Sequence, residues 1–485
     1  MKQRIIYTLL IVFAAFTSCK DDAEVILAPV ISGIDKTYTI VEGRKLELSP
    51  TIENRNNATY LWQLDGEEVA QTPNYVFEES NPGEYTLILK VGNESGTDEA
   101  KTSITVGAKD MTIEGAAHTL ISLELPDYMK GNGDLAWSVL EAPSELYRFS
   151  QMNAEEAPLF IAAEVGTYLM QVSSGDINGE VTIIVSENEN ELSSYIANVF
   201  DYLPAPGQFV NKMPVYEEGD THEDMVAKVA EKITGENSGF ITLGGWGGYV
   251  TFGFDHTIVN VAGKQDFRIE GNGFTNSSEP GIVMVSYDAN GNGEPDDEWY
   301  EIVGSGNFTA ENEEWYQSAL ETGNDVNTYR DFEMTYYRPE VEENAPLKEY
   351  IRWTNNKDQE GYKEKNSFHK QSYFPLWVDA DEITFNGVRL AQSGVDASGQ
   401  GSFFTLKSYK YGYADNHSNS DNRSTFDIDW AIDNDGNKVN LPGIDFVKVY
   451  TGVDQENGWL GENSTEVGRG SDLHLLGTSI NTIKE

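Results

Sequence analysis

The chain has 485 residues, of which 33 are Lys or Arg and 80 are Asp or Glu, so its formal net charge at pH 7 is −47. A surface this acidic repels nucleic acid and anionic lipid, which argues against a nucleic-acid partner and leaves neutral ligands, cations and metal ions open. The 45 glycines and the many aromatic residues are typical of a β-rich chain with many turns, and this length suffices for about three domains.

The N-terminus has the layout of a secretory signal peptide. Lys2 and Arg4 precede an apolar run, residues 5–16, that is too short to span a bilayer. The segment FTSC ends at the single cysteine, Cys19, and resembles a bacterial lipoprotein box, while the following KDD resembles the signal that sends lipoproteins to the outer face of the outer membrane. We therefore expect a signal peptide over 1–18, a lipid on Cys19, a tether over 19–28 and a position on the extracellular face of the outer membrane. The alternative is an ordinary cleaved signal followed by an unmodified cysteine.

Short alternating strands separated by turn residues begin at Pro29 and predict a β-sandwich over 29–107. The segments YLWQLDGEEV and YVFEESNPGEYTLILKVGNESG resemble a PKD-type immunoglobulin-like module. The resemblance implies that Trp62 is the buried core tryptophan and that the Tyr85 hydroxyl returns to the backbone at a corner.

Residues 108–187 read as a weaker copy of this module. Trp137 takes the place of Trp62, and Tyr168 takes the place of Tyr85, with a longer gap between them. We expect both modules to act as spacers that lift the C-terminal region above the membrane.

Residues 188–485 are expected to form one domain. One helix is predicted over Glu223–Thr234, capped by Thr221 or Asp220 and ended by Gly235. Most of the remainder reads as strands and long loops, such as 304–345, which suit a jelly roll with functional loops. The sequence thus predicts a mainly β chain: two immunoglobulin-like (PKD-type) β-sandwiches, then a large jelly-roll-like β-sandwich domain with one or two helices.

One loop has the composition of a calcium site. Oxygen side chains at alternate positions before glycine can converge on a hard cation, as at the start of an EF-hand loop. The twelfth position is Trp299 instead of Glu, so the loop looks more like the calcium loops of thrombospondin-type or dockerin-type repeats. We predict a structural Ca²⁺ site, against the alternative of a polar hairpin with Asn-Gly turns. Its ligands would be Asp288, Asn290, Asn292, the Glu294 carbonyl and Asp296.

Catalytic motifs are absent from the sequence. It has no G-x-S-x-G, no H-E-x-x-H and no cysteine nucleophile. The six histidines do not pair at metal-ligand spacing, and His256 is expected to be structural. We therefore predict a binding protein and not an enzyme.

Aromatic residues in irregular parts of the C-terminal region are the better functional signal. Flat rings with a polar edge suit sugars, corrin-like macrocycles and other amphipathic ligands. The alternative is that many of these rings are core. The predicted ligand-binding residues are Trp315, Tyr316, Tyr336, Tyr337, Trp353, Phe374, Tyr411, Tyr413 and Trp459.

The segments GGWGGYVTFGFDHTIVNV, EPGIVMVSYDANGNGEPDDEWYEIVGSG and LPGIDFVKVYTGVDQENGWLGENSTEV resemble a family of Bacteroidetes cell-surface lipoproteins. Members join PKD-like spacers to a large β-domain and accompany TonB-dependent transporters. The chain looks most like the BtuH-type proteins, which implies capture of cobalamin and its transfer to such a transporter. A glycan-binding lipoprotein of a polysaccharide-uptake system is the alternative, with a glycan-processing enzyme as a third possibility.

Overall fold

The structure is a computed structural model that describes residues 26–130, 134–153, 156–175, 177–342 and 346–483. The expected signal peptide and Cys19 lie outside these residues. Strands prevail over helices in the described residues, which confirms the mainly β fold class. No helix in that part of the chain is both long and apolar enough to cross a membrane.

The chain divides into two compact units. Unit 1 comprises Met1–Asp110, Pro126–Leu135 and Ser173–Gly179, and unit 2 comprises Met111–Leu125, Ala136–Val172 and Glu180–Glu485. Most of the second immunoglobulin-like region therefore belongs to the same unit as the C-terminal region. The domain limits expected at 107 and 187 stay predictions.

The first sandwich is built around Trp62, which is fully buried and whose indole donates to the Thr72 carbonyl at 2.9 Å. The Tyr85 hydroxyl donates to the Asn81 carbonyl at 2.8 Å, which confirms the predicted corner. The strands of this sandwich are β1 (Val30–Ser32), β2 (Thr37–Val41), β3 (Lys45–Leu48), β4 (Thr51–Glu53), β5 (Thr59–Leu64), β6 (Glu67–Ala70), β7 (Tyr75–Glu78), β8 (Gly83–Asn93) and β9 (Gly96–Gly107). They form a main sheet of the order β2-β9-β8-β5-β6 and the two pairs β1-β4 and β3-β7.

The second immunoglobulin-like region repeats the tyrosine corner but not the buried tryptophan. Tyr168 is fully buried and donates to the Glu164 carbonyl at 2.9 Å. Trp137 is only half-buried, at 5.8 Å from the Phe149 ring, because its strand lies at the edge of the sheet β10-β16-β15-β12. The elements are β10 (Met111–Ala116), β11 (Ile121–Ser122), α1 (Asp127–Lys130), β12 (Ala136–Glu141), β13 (Tyr147–Ser150), β14 (Leu159–Ala162), β15 (Gly166–Ser174) and β16 (Ile177–Ser186).

The C-terminal region contains three main sheets. Their orders are β17-β19-β31-β21-β22-β30, β25-β24-β23-β26 and β29-β20-β33. The elements are β17 (Asn198–Leu203), α2 (His222–Ile233), β18 (Ile241–Thr242), β19 (Tyr249–Val259), β20 (Phe267–Ile269), β21 (Gly281–Ser286), β22 (Tyr300–Ile302), α3 (Tyr316–Glu321), β23 (Tyr329–Tyr337), β24 (Leu347–Asn355), β25 (Glu360–Lys365), β26 (Glu382–Arg389), β27 (Gly394–Asp396), β28 (Phe404–Leu406), β29 (Thr425–Phe426), β30 (Ala431–Ile432), β31 (Gly443–Thr451), β32 (Glu466–Val467) and β33 (Gly470–Asp472).

Helix α2 lies within one residue of its predicted bounds. Thr221 and Asp224 form a capping box, in which each side chain accepts from the backbone N–H of the other residue. Met225, Val229 and Ile233 are fully buried, as the apolar spacing predicts. The stretch read as a long loop from residue 304 instead holds α3 and β23, because alternate residues of β23 are buried in a sheet.

Candidate functional site

One face of the six-stranded sheet packs on the largest core cluster of the C-terminal region, while the other face carries charged, polar and apolar residues, some of which pack on a second cluster. Because side chains alternate along a strand, Val250, Phe252 and Val449 point to the core face, where all three are fully buried. The pairing register aligns the intervening residues in one row across the other face. This row, which we call the sheet-face row, consists of Asp201, Thr251, Lys448, Met284, Glu301 and Ile432.

A cleft of about 680 Å³ is lined by the part of the sheet-face row from Lys448 to Ile432, and we call it the Trp299 cleft. Its volume is within the range of small-molecule sites, roughly 300–1,000 Å³. Aromatic rings and charged groups share its walls, so that it can bury an apolar surface and also meet polar substituents. The principal lining residues are Tyr249, Met284, Trp299, Glu301, Arg330, Phe385, Asn386, Lys448 and Tyr450.

Glu301 is held by a network that fixes its orientation. Arg330 donates to both carboxylate oxygens, at 2.8 and 3.3 Å, and Asn307 donates a third hydrogen bond. Burial raises the pKa of Glu301, and the Arg330 charge opposes that rise. The Arg330 guanidinium also lies 4.8 Å from the centre of the Phe308 ring. The result is a preorganised ion pair on the wall of the Trp299 cleft.

Lys448 supplies a cationic group in the middle of the row. Its ammonium lies 3.9 Å from the centre of the Tyr249 ring, and burial lowers the pKa of Lys448. The Tyr249 hydroxyl donates to Asp201 at 2.6 Å, and burial raises the pKa of that hydroxyl. Asp201, Tyr249 and Lys448 thus contact one another in sequence on this face of the sheet.

Two further clefts continue from the Trp299 cleft, one after the other. A smaller one of about 520 Å³ shares Trp299 and Lys448 with it and is also lined by Phe200, Asp201 and Glu294. A larger one, of about 1080 Å³, shares Phe200 with this middle cleft. We call it the His118 cleft. Its polar and aromatic lining includes His118, Tyr287, Asp288, Asn290, Phe254, Asp255, His256 and Phe446.

We refer to the three clefts together as the sheet-face groove. The loop 288–299 borders it throughout: Asp288 and Asn290 line the His118 cleft, Glu294 lines the middle cleft, and Trp299 lines both the middle cleft and the Trp299 cleft. The groove is thus open and elongated, and this loop forms part of its wall along the whole length.

The structure brings the predicted calcium-loop residues together. Asp288 accepts from the backbone N–H groups of Asn292 and Gly293, at 3.0 and 2.8 Å. The amides of Asn290 and Asn292 both reach the Asp296 carboxylate, at 2.9 and 3.1 Å. The Glu294 carbonyl accepts from the Asp296 N–H at 2.9 Å. This network is compatible with the polar hairpin as well as with a cation, so the calcium site stays a prediction.

The predicted aromatic residues do not converge on one site, and none lines the three clefts. Five of them are buried because they fill the core of the C-terminal region: Trp315, Tyr336, Phe374, Tyr411 and Tyr413. We assign these five to packing instead of ligand binding.

The other four predicted aromatic residues are less buried but are scattered. Tyr316 and Trp353 pack against core clusters, and Tyr337 lies under the Arg352 guanidinium at 4.6 Å. Trp459 is 57% exposed and donates to the Ser402 carbonyl at 3.2 Å.

Sequence reasoning missed Trp299, Tyr249 and Lys448, which were read as ordinary strand positions. One local signal for Trp299 existed, since it directly follows the Asp- and Asn-rich loop. The sheet-face row itself has no local signal, because its residues come from strands that are distant in sequence.

Comparison with known proteins matches the N-terminal part of the chain to a domain family. Residues 29–93 match the PKD-like domain family. The match covers less than half of the chain, so it defines the first sandwich and not the whole protein. No curated protein matches the chain.

Similar solved structures include immunoglobulin tandems. Sidekick-1 immunoglobulin domains 1–5 are 14% identical, over 51% of this chain and 49% of that one, with a TM-score of 0.20. An I-band fragment of titin is 15% identical, over 33% and 66%, with a TM-score of 0.16. A quinonprotein alcohol dehydrogenase-like protein from Bacteroides thetaiotaomicron VPI-5482 is 14% identical, over 35% and 44%, with a TM-score of 0.16. The chain spans less than two thirds of each of these structures, and similarity this low carries no argument about function.

Proposed function

We propose that this protein is a non-catalytic ligand-binding lipoprotein that captures its ligand in the sheet-face groove. The observation that carries the proposal is the sheet-face row: its charged residues Asp201, Lys448 and Glu301 are aligned across the sheet and line clefts whose walls also carry Tyr249 and Trp299.

A glycan is the ligand class that this geometry favours. Sugar rings present apolar C–H faces, which pack on rings such as Trp299, and hydroxyls, which pair with carboxylates and cationic groups. Asp201, Lys448 and Glu301 lie on every second strand across the groove. An elongated, open groove suits several linked sugar units better than one compact ligand.

Cobalamin is the second candidate, and the Trp299 cleft is the feature that favours it. This cleft combines aromatic walls with Arg330 and Lys448. A planar macrocycle with amide and phosphate substituents could pack on such walls and meet these cations. The resemblance to BtuH-type proteins points in the same direction.

Binding without turnover is supported by the state of the two carboxylates of the sheet-face row. Glu301 is engaged by Arg330 and Asn307, and Asp201 accepts from Tyr249. A glycosidase needs two carboxyl groups that face each other across the scissile bond, one of them free to give up a proton. The ion pair of Glu301 disfavours that role.

The site of action in this proposal is the cell surface. A lipid on Cys19 would anchor the chain in the outer membrane, and the PKD-like module would act as a spacer. A TonB-dependent transporter would then receive the ligand.

A screen with the full chain, purified in detergent, tests this function. The protein is applied to a glycan array, and separately it is mixed with cyanocobalamin at micromolar concentration and passed over a sizing column. Retention on defined glycans supports the first ligand class, and comigration of the red cobalamin supports the second. If the protein binds neither glycans nor cobalamin, or if it releases a product from any glycan, the proposal is overturned.

A further inference from the structure

Three polar side chains from distant parts of unit 2 converge at the wall of the His118 cleft. His256 Nε2 lies 2.9 Å from Asp472 Oδ2, and His118 Nδ1 lies 3.9 Å from the same oxygen. One nitrogen or oxygen from each residue lies within 4.8 Å of the other two. His118 and His256 are 5% and 6% exposed, and Asp472 is fully buried.

His118 has a buried nitrogen without a hydrogen-bond partner. Its Nδ1 makes no hydrogen bond among the described residues, although it is shielded from solvent. Nδ1 lies 3.9 Å from the Asp472 oxygen that His256 also contacts. A buried polar nitrogen left in this state is costly unless something occupies the space before it.

The outer contacts of the three residues are those of a metal site. His256 Nδ1 lies 2.8 Å from Asp255 Oδ1. Asp472 Oδ1 accepts from the backbone N–H groups of His474 and Leu475, at 2.7 and 3.1 Å. The other carboxylate oxygen, Oδ2, faces the two histidines. His256 is thus oriented by an oxygen at its far nitrogen, which is the usual arrangement of metal-bound imidazoles.

We propose that His118, His256 and Asp472 bind a divalent first-row transition-metal ion such as Zn²⁺. Two imidazole nitrogens and one carboxylate oxygen suit such an ion and disfavour Ca²⁺ or Mg²⁺, which prefer all-oxygen sites. The ion joins the segment 111–125 to β19 and β33. His118 and His256 also line the sheet-face groove, but the metal proposal does not rest on glycan or cobalamin binding there. The wide separation of the three residues explains why histidine spacing in the sequence gave no sign of the site.

A second group of buried acids provides a useful contrast. Glu279, Asp415 and Glu466 also lie close together. Each of these carboxylates already accepts a hydrogen bond, from Ser464, Gly273 and Asn272 respectively. Among the described residues, none of these three side chains has a buried oxygen without a hydrogen-bond partner, so the cluster carries no metal proposal.

Zinc retention by the full chain tests the proposal. The detergent-purified protein is stripped with a chelator, incubated with Zn²⁺ in the presence of millimolar Mg²⁺ to block the acidic surface, dialysed, and analysed for bound zinc. We expect about one zinc per chain and a raised melting temperature. His118→Asn, in which Asn tolerates the left-handed backbone at φ +58°, should retain at least tenfold less zinc. His369→Asn, at a half-buried histidine outside the cluster, should behave as the wild type.

Equal zinc retention by the wild type and His118→Asn would overturn the proposal, since the metal would then lie elsewhere. Cobalt keeps the test decisive if His118→Asn fails to fold. Co²⁺ added to the stripped wild type should give visible absorption of a low-coordinate protein site, and a spectrum like that of the aqueous ion would contradict the site.

Discussion

Several acidic side chains of this protein are buried, and their burial determines how its stability depends on pH. Burial, followed by repulsion from Asp266, raises the pKa of Asp427 to about 7. Glu462 is fully enclosed, and burial with repulsion from Glu456 raises its pKa to about 7 as well. In the unfolded chain both groups ionise near pH 4. The folded state therefore holds more protons between pH 4 and 7.

The first prediction concerns Asp427→Asn. Because the pKa is raised on folding, the wild type loses stability as the pH rises from about 4 to 7. The change from 3.8 to about 7 limits the contribution of this group to about 4 kcal/mol, at about 1.4 kcal/mol for each pKa unit. Asn can still accept from the Asp429 N–H, as Asp427 does at 2.8 Å.

Urea unfolding at pH 5 and pH 8 measures the effect. The free energy of unfolding should depend less on pH in Asp427→Asn than in the wild type, whereas the exposed Asp435→Asn should leave that dependence unchanged. An unaltered pH dependence in Asp427→Asn would contradict this account.

Single residues also show where prediction from the sequence stops. Trp62 and Tyr85 were predictable because their module has a fixed pattern of core and corner positions. Tyr336 and Phe374 were not separable from ligand-binding rings, because a large β-domain uses the same aromatic residues for its core. Only the burial of each ring distinguishes the two uses.

At the scale of elements, local patterns were the most informative. Helix α2 follows from its capping box and apolar spacing, both of which lie within a few residues of one another. Strand β23 carries an alternation of Phe332, Met334 and Tyr336, all buried. That alternation predicts a strand, but the surrounding polar residues made the stretch read as a loop.

The second prediction concerns the loop 288–299. If Ca²⁺ binds there, chelator should lower the melting temperature of the full chain by roughly 2–6 °C, and Ca²⁺ but not Zn²⁺ should restore this loss. Asp288→Ala should remove the Ca²⁺-dependent part. The matched control is Asp433→Ala, in a shorter turn where Asp433 accepts from Asp435 and Asn437 in the same manner. A melt of the wild type that Ca²⁺ leaves unchanged would identify the loop as a plain hairpin.

At the scale of the whole molecule, the sheet-face groove depends on long-range pairing. Strand β19 pairs with β17 on one side and with β31 on the other, although β31 begins at Gly443. No local pattern specifies which distant strands become neighbours, so the row from Asp201 to Glu301 could not be foreseen. The sequence did allow the β-rich class and the first sandwich to be predicted, since both depend on composition and on one compact segment.

The third prediction concerns the anchor. Cys19→Ser removes the only thiol and hence the attachment point for lipid. We expect the wild type to sediment with membranes and to be digested by protease added to whole cells, because the lipid anchors it on the outer face. The variant should leave the membrane fraction. A variant that still sediments with membranes would contradict a lipid on Cys19.

The central claim is that ligand binds in the sheet-face groove, and the affinity of two tryptophan variants tests it most directly. The dissociation constant is measured by calorimetry for the ligand that the glycan array or the cyanocobalamin column identifies. Trp299→Ala should weaken binding roughly tenfold or more, because the ring loses its contact with the ligand. Trp459→Ala, at an exposed tryptophan outside the groove, should leave the constant within about twofold. Unchanged affinity in Trp299→Ala, or a loss confined to Trp459→Ala, would place the site elsewhere.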